Sequence, residues 1–166
     1  MPLLTNQLRY SILNLERELD GTIDTCLELG VTPVAHSPLA GGVATTRFAK
    51  GGGQRAAAWR EVARGRALYR WPPPASQLPA LVPTYQALTA VAEAGRGAGR
   101  TETQVALQFV MAKGVIPLPG VTTAAEAAEV AGTLKWELGL GELAALNEAA
   151  RGLHVRRADI PWLREL

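Results

Sequence analysis

The chain has little of what builds disulfides, metal centres or membrane spans. Among its 166 residues there is one cysteine, Cys26, so no disulfide can form within the chain and no cysteine-based metal site is expected. The two histidines, at positions 36 and 154, do not have a zinc-ligand spacing. No apolar run approaches transmembrane length, and no targeting segment is recognised in this chain. These absences predict a soluble intracellular protein without a bound metal.

Aromatic residues and excess charge are also scarce. Aromatic residues make up 5% of the chain, and 17 Lys and Arg stand against 15 Asp and Glu, for a net charge of +2. Basic residues cluster only modestly, at residues 55–70 and 151–157, and no aromatic-interleaved basic stripe accompanies them. We therefore expect neither nucleic acid nor a membrane as a partner. A hydrophobic content of 48% is enough for one globular core.

Apolar periodicity divides the chain into alternating strands and helices. The pattern predicts strands over 4–11, 31–36 and 115–118, and helices over 20–29, 81–94, 101–112, 124–131 and 141–151. Residues 40–80 form a long irregular stretch between Gly-rich and Pro-rich punctuation, typical of a functional or disordered loop. Alternation of strands and helices predicts parallel strands joined by crossover helices. Pro33 is awkward in this scheme, because a central strand needs the amide that proline lacks.

Local signals fix several helix ends and core positions. Thr101–Gln104 and Thr123–Glu126 are capping boxes, Asp20 is a plausible N-cap, and Gly30 is a plausible helix stop. The positions expected to face the core share helical spacing: Ile23, Cys26, Leu27, Leu81, Tyr85, Leu88, Val91, Ala92, Val105, Phe109, Ala112, Leu143, Leu146 and Ala150.

Two apolar runs each stop at Pro and Gly and then turn polar, over residues 34–42 (V-A-H-S-P-L-A-G-G) and 115–123 (V-I-P-L-P-G-V-T-T). This is typical of a buried parallel strand that leads into a ligand-facing loop. Three further motifs accompany these two runs, at residues 6–14 (N-Q-L-R-Y-S-I-L-N), 103–109 (T-Q-V-A-L-Q-F) and 132–138 (G-T-L-K-W-E-L). The chain therefore contains five motifs in order. The chain resembles the C-terminal half of an aldo-keto reductase, with the last motif closest to the plastid and cyanobacterial branch.

The resemblance implies an α/β fold, a partial (β/α)8 TIM barrel made of the last three strand–helix units of the aldo-keto reductase barrel. A closed barrel needs eight strands over about 250 residues. The implied domain covers residues 1–153, and residues 154–166 form a tail. The implied compartment is the cytoplasm or the chloroplast stroma.

The resemblance also implies which residues bind a cofactor, with NADP expected and NAD not excluded. Gln7 matches the residue bonded to the nicotinamide carboxamide, and His36 stands where an aromatic residue, usually Tyr, stacks on the ring. The other implied contacts are to pyrophosphate (Ser37, Leu39, Gly41), to the 2′-phosphate (Gly120, Thr122, Thr123) and to adenine and ribose (Glu126, Glu129). Taken alone, these residues are also consistent with ordinary turns and, for Glu126, with helix capping. Since residues 120–134 contain no Lys or Arg, discrimination between NADP and NAD should be weak.

No residue of this chain matches the family's catalytic tetrad of Asp, Tyr, Lys and His, which lies in the earlier strands. The family activity is reduction of aldehydes or ketones, and a carbonyl substrate is expected only if a complete barrel is formed. The isolated chain is therefore predicted to be inactive. The alternatives are a non-catalytic half-barrel that binds cofactor or a partner, and a truncated gene product. Its open sheet edges predict self-association.

Overall fold

Three parallel strands form one sheet in the order β1–β2–β3, as the sequence predicted. The structure, a computed structural model, describes residues 2–44, 77–95 and 99–155. The strands are β1 (Thr5–Arg9), β2 (Thr32–His36) and β3 (Ile116–Leu118). The predicted loop of residues 40–80, with the basic stretch 55–70, lies outside the described residues from 45 to 76. Most of the predicted tail, from residue 156 onward, also lies outside them.

Six α-helices accompany the sheet in the described residues: α1 (Glu16–Leu19), α2 (Thr22–Glu28), α3 (Leu78–Ala94), α4 (Glu102–Met111), α5 (Ala124–Gly132) and α6 (Leu140–Val155). Short 3-10 turns occupy Ala40–Gly42 and Thr133–Lys135. The five predicted helices are present, and α1 was not predicted. Helix α6 continues to Val155, past the start of the predicted tail, so the division at residue 153 stays a prediction.

Both predicted capping boxes are formed in full. Thr101 Oγ1 accepts from the Gln104 amide while the Gln104 side chain accepts from the Thr101 amide, and Thr123 and Glu126 repeat the arrangement. The predicted N-cap at Asp20 is wrong by one position. Gly21, with φ of 78°, is the N-cap of α2, and the Asp20 carboxylate accepts from the Thr22 amide at 2.9 Å. A left-handed backbone suits glycine, so the turn places Asp20 outside the helix.

The core lies between one face of the sheet and the helices α3, α4 and α6. Helix α4 is buried from Gln104 to Val110. Most predicted core positions are buried, with Leu143 only partly so. Two predictions were wrong: Leu27 is 46% exposed, and Ala112 is exposed because α4 ends one residue before it.

Pro33 is tolerated in the central strand because of where pairing begins. The Thr32 amide donates to Leu4 O, on the side of β1. Since successive amides of a strand point to opposite sides, residue 33 would direct its amide toward β3. The pairing with β3 starts only at Val34, opposite Ile116. The missing donor therefore removes no ladder bond between the described strands.

Candidate functional site

Within the described residues, one face of the sheet packs on helices, and the side chains of the opposite face are exposed or half-buried. Along β1, Leu8 is buried whereas Gln7 is exposed, and along β2, Ala35 is buried whereas Val34 and His36 are half-buried. Strand β3 leaves Ile116 52% exposed. The side chains that share a face with Gln7, His36 and Ile116 form what we call the open face: Thr5, Gln7, Arg9, Thr32, Val34, His36, Ile116 and Leu118.

The parallel register arranges the open face in rows that run across the strands. Gln7, Val34 and Ile116 form one row, and Arg9, His36 and Leu118 form the next. The second row lies at the carboxyl ends of all three strands. Since (β/α) barrels bind ligands at these ends, the predicted cofactor residues of β1 and β2 come together on the side where a ligand is expected.

The loop after β2 has an unusual backbone. Ser37 and Ala40 have φ of 56° and 47°, and Gly41 and Gly42 follow with 66° and 92°. Non-glycine residues rarely adopt the left-handed region, and such conformations concentrate at functional sites. The predicted Leu39 is partly buried against the core, and its carbonyl accepts from the Gly42 and Ala44 amides. Gly41 is exposed.

The surroundings of His36 favour its neutral form. Partial burial and the neighbouring Arg9 guanidinium both lower the pKa of its imidazole below the usual value of 6.5. Its Nδ1 lies 3.4 Å from Ser37 Oγ. An uncharged ring does not repel the positive charge of an oxidised nicotinamide, so the replacement of the family's usual tyrosine is compatible with stacking.

The start of α5, the other predicted phosphate position, already holds a carboxylate. Glu126 Oε2 accepts from the Thr122 amide at 2.7 Å, from Thr122 Oγ1 at 2.8 Å and from the Thr123 amide at 3.2 Å. These donors are the ones that an incoming phosphate would use. The segment 120–123 is exposed, and a Cβ at Gly120 would meet no atom within 4 Å. Space for a ligand is therefore present, but the protein's own negative charge competes for the amides.

The predicted adenine contact Glu129 is directed toward α4. Its Oε1 accepts from Thr101 Oγ1 at 2.7 Å, and its carbonyl accepts from Gln104 Nε2 at 2.8 Å. These bonds join α5 to the N-terminus of α4. The structure therefore gives Glu129 a structural role, and its contact with a cofactor stays a prediction.

Replacing Glu126 with glutamine should strengthen phosphate binding at α5. Glutamine keeps an acceptor for the capping box but removes the charge beside the helix N-terminus, an effect worth about 0.3–1 kcal/mol. We expect the Kd for NADP+ to fall about 2- to 5-fold in calorimetric titration. Glu148→Gln, an equal charge change at an exposed position of α6, is the control. Unchanged or weaker NADP+ binding by the Glu126 variant would contradict this prediction.

Among the described residues, no group of three or more His, Cys, Asp or Glu side chains is placed to hold a metal ion. No helix in the described part of the chain combines the length and apolar character needed to cross a bilayer. Cys26, predicted to be a buried small side chain, is buried, and Nδ2 of the Asn6 side chain donates to its sulfur at 3.4 Å.

The loops after β2 and β3 lie at the carboxyl ends of parallel strands, which is where (β/α) barrels bind their ligands. The family model described as "Aldo/keto reductase family" matches residues 1–151. The chain belongs to this family, as its motifs indicated. Proteins of this family generally use NAD(P)H.

Two curated proteins are similar to parts of this chain. The chain is 28% identical over 154 residues to "Pyridoxal reductase, chloroplastic" of Arabidopsis thaliana, covering 91% of this chain and 37% of that protein. It is 52% identical over 40 residues to "Uncharacterized oxidoreductase YcsN" of Bacillus subtilis (strain 168), covering 24% of this chain and 13% of that protein. The chain thus spans well under half the length of these relatives.

A solved structure supports the fold. The thermostable aldo-keto reductase Tm1743, crystallised with the inhibitor epalrestat, aligns with a TM-score of 0.58 and 21% identity, over 89% of this chain and 40% of that chain. At this identity the match concerns the fold alone. It confirms the predicted α/β fold and is consistent with a partial barrel.

Proposed function

We propose that this chain forms the dinucleotide-binding half of an aldo-keto reductase, with NADP as cofactor and NAD as the alternative. The observation that carries the proposal is the pairing of His36 with Leu118, which brings the loops after β2 and β3 side by side at the carboxyl edge of the sheet. The residues that would hold the cofactor are those named from the sequence: Gln7, His36, Ser37, Leu39, Gly41, Gly120, Thr122, Thr123, Glu126 and Glu129.

The division of roles follows from the local structure. Gln7 and His36 lie on the open face, where they would hold the nicotinamide. The loop after β2, with positive φ at Ser37, Ala40 and Gly41, would place main-chain groups near the pyrophosphate. The Ala40 and Gly42 amides already donate to Ser37 O and Leu39 O, so other groups of the loop would make these contacts. Bound NAD(P)H supplies a hydride, and a carbonyl substrate also needs a general acid. No matched tetrad residue supplies one, so we propose that the isolated chain does not reduce carbonyls.

The alternative, a non-catalytic half-barrel that associates with another chain, is supported by the open face. Its apolar members include Ile116 and Leu118, 52% and 47% exposed, at the edge strand β3. Edges of this kind invite pairing with other strands. We propose self-association through these edges in the isolated chain, and a carbonyl substrate only for a complete barrel. The compartment, chloroplast stroma or cytoplasm, also stays a proposal, supported for the chloroplast by the name of one relative.

A charge placed at Gly120 tests the dinucleotide site. Because a Cβ there meets nothing within 4 Å, Gly120→Ala should leave binding of NADP+ and NAD+ nearly unchanged. Gly120→Glu should weaken NADP+ binding by about 10-fold or more, since its carboxylate would lie near the proposed 2′-phosphate position, and should weaken NAD+ binding less, because NAD+ lacks that phosphate. Calorimetric titration of the full chain measures both constants, and the two cofactors should differ little in affinity.

The same protein samples test whether the chain is catalytic or only binds the cofactor. NADPH oxidation with a reactive aldehyde should stay at the level of a no-protein control. Measurable turnover would overturn the proposed lack of activity. Equal cofactor binding by the Gly120→Glu and Gly120→Ala variants would overturn the proposed site.

A further inference from the structure

The second row of the open face contains an arginine beside the proposed cofactor residues. Residues 120–134 contain no Lys or Arg, and the amides before α5 are held by Glu126. Arg9, however, ends β1 and is the register partner of His36. In the described part of the chain it is the only Lys or Arg that lies on a strand.

Register and burial fix where Arg9 lies relative to the proposed nicotinamide residues. It follows Gln7 by two positions on the same face, which brings it about 6.6 Å closer to the carboxyl edge of the sheet. Neighbouring strands are about 4.8 Å apart, so its backbone is adjacent to that of His36. The lowering of the His36 pKa by Arg9 agrees with this proximity. Arg9 is half-buried, so its charge is less screened than that of a fully exposed arginine.

Four of the other five Lys and Arg residues in the described ranges lie near carboxylates outside the open face. Three of them form ion pairs with carboxylates: Arg17 with Asp20, Arg100 with Glu142, and Lys113 with Glu18. Arg151 lies 3.9 Å from Glu18, on the helix side of the sheet. Lys135 belongs to the 3-10 turn that follows α5, beyond the helix end opposite the proposed phosphate position.

We propose that Arg9 is an anion-recognition residue of the cofactor site and binds the phosphate on the nicotinamide side of the dinucleotide. This inference rests on the proposed dinucleotide function. His36 then lies beneath the nicotinamide ring, and the guanidinium beside it contacts the adjoining phosphate. A guanidinium suits this role, because its planar set of N–H donors matches phosphate oxygens. Arg9 would thus bind a phosphate that NAD and NADP share. This agrees with the expected small difference in affinity between the two cofactors.

The test uses the two halves of the dinucleotide, which carry the two phosphates of its pyrophosphate separately. Nicotinamide mononucleotide probes the nicotinamide side, and adenosine 2′,5′-bisphosphate probes the adenosine side. Each is titrated by calorimetry into the full wild-type chain and into Arg9→Gln, Arg9→Lys and Arg17→Gln variants. Arg17 is the matched control, because it is a surface arginine paired with Asp20 on α1. Circular dichroism verifies that each variant is folded.

Arg9→Gln should weaken nicotinamide mononucleotide and NADP+ about 10- to 100-fold and leave adenosine 2′,5′-bisphosphate within about 2-fold. Arg9→Lys should recover part of the loss, and it decides the question if the glutamine variant does not fold. Equal affinity of the variants and the wild type for nicotinamide mononucleotide would overturn the role of Arg9 and leave the proposed function standing. An equal loss for both half-ligands would show a general charge effect and would also overturn it. Binding of neither half-ligand nor dinucleotide by the wild type would overturn both proposals.

Discussion

Replacing Phe109 with alanine is expected to lower the free energy of unfolding by about 3–5 kcal/mol. Phe109 is fully buried in the last turn of α4, and its ring centroid lies 6.3 Å from that of Tyr10 in a stacked arrangement. The ammonium of Lys113 lies 5.5 Å from the same centroid. Alanine would lose the transfer free energy of the ring and leave a cavity between α4 and the segment after β1.

Urea denaturation followed by circular dichroism measures this loss. Small domains have about 5–15 kcal/mol of stability, so the variant should unfold at a much lower urea concentration or show no cooperative transition. Val82→Ala is the control, because Val82 is 44% exposed on α3 and its truncation should cost less than about 0.5 kcal/mol. A loss below about 1 kcal/mol for the Phe109 variant would show that α4 is not central to the core.

Replacing Glu18 with alanine should lower the free energy of unfolding by about 2–4 kcal/mol. The Glu18 carboxylate accepts from Tyr10 Oη at 2.5 Å and from Lys113 Nζ at 2.8 Å, and its side chain is only 15% exposed. Burial raises the pKa of the Tyr10 phenol, and the hydrogen bond to Glu18 raises it further, so Tyr10 remains a proton donor. Alanine would leave this buried donor and a poorly solvated ammonium without their acceptor.

The exposed pair of Arg17, on the same short helix, and Asp20, directly after it, is the matched comparison for Glu18. Arg17 and Asp20 are 43% and 36% exposed, and Arg17→Ala should cost less than about 1 kcal/mol. Glu18→Gln should lie between the two, because the amide oxygen still accepts one hydrogen bond. Urea denaturation of the three variants gives the ranking, and a Glu18→Ala loss no larger than that of Arg17→Ala would refute the structural importance of the network.

The sequence determined the features that depend on neighbours within a few positions. The boxes at Thr101 and Thr123 are each made by residues three positions apart, so their side chains meet as soon as the helix begins. Gly30 ends α2 with φ of 68°, a conformation that glycine adopts at little cost. The three strands and the buried face of α3 were likewise readable from hydrophobic periodicity, and the order of motifs indicated the family.

The tertiary structure decided what depends on residues far apart in the chain. Glu18 and Lys113 are 95 positions apart, and no local pattern indicates that they meet. The sequence named Glu126 as a candidate for cofactor binding and for helix capping. Only the tertiary structure shows that its carboxylate accepts hydrogen bonds from the amides before α5. Arg9 received no role from the sequence, because its position beside His36 follows from the parallel register of two strands. Register is set by the packing of the whole sheet on its helices, and a one-residue slip would turn Arg9 to the other face.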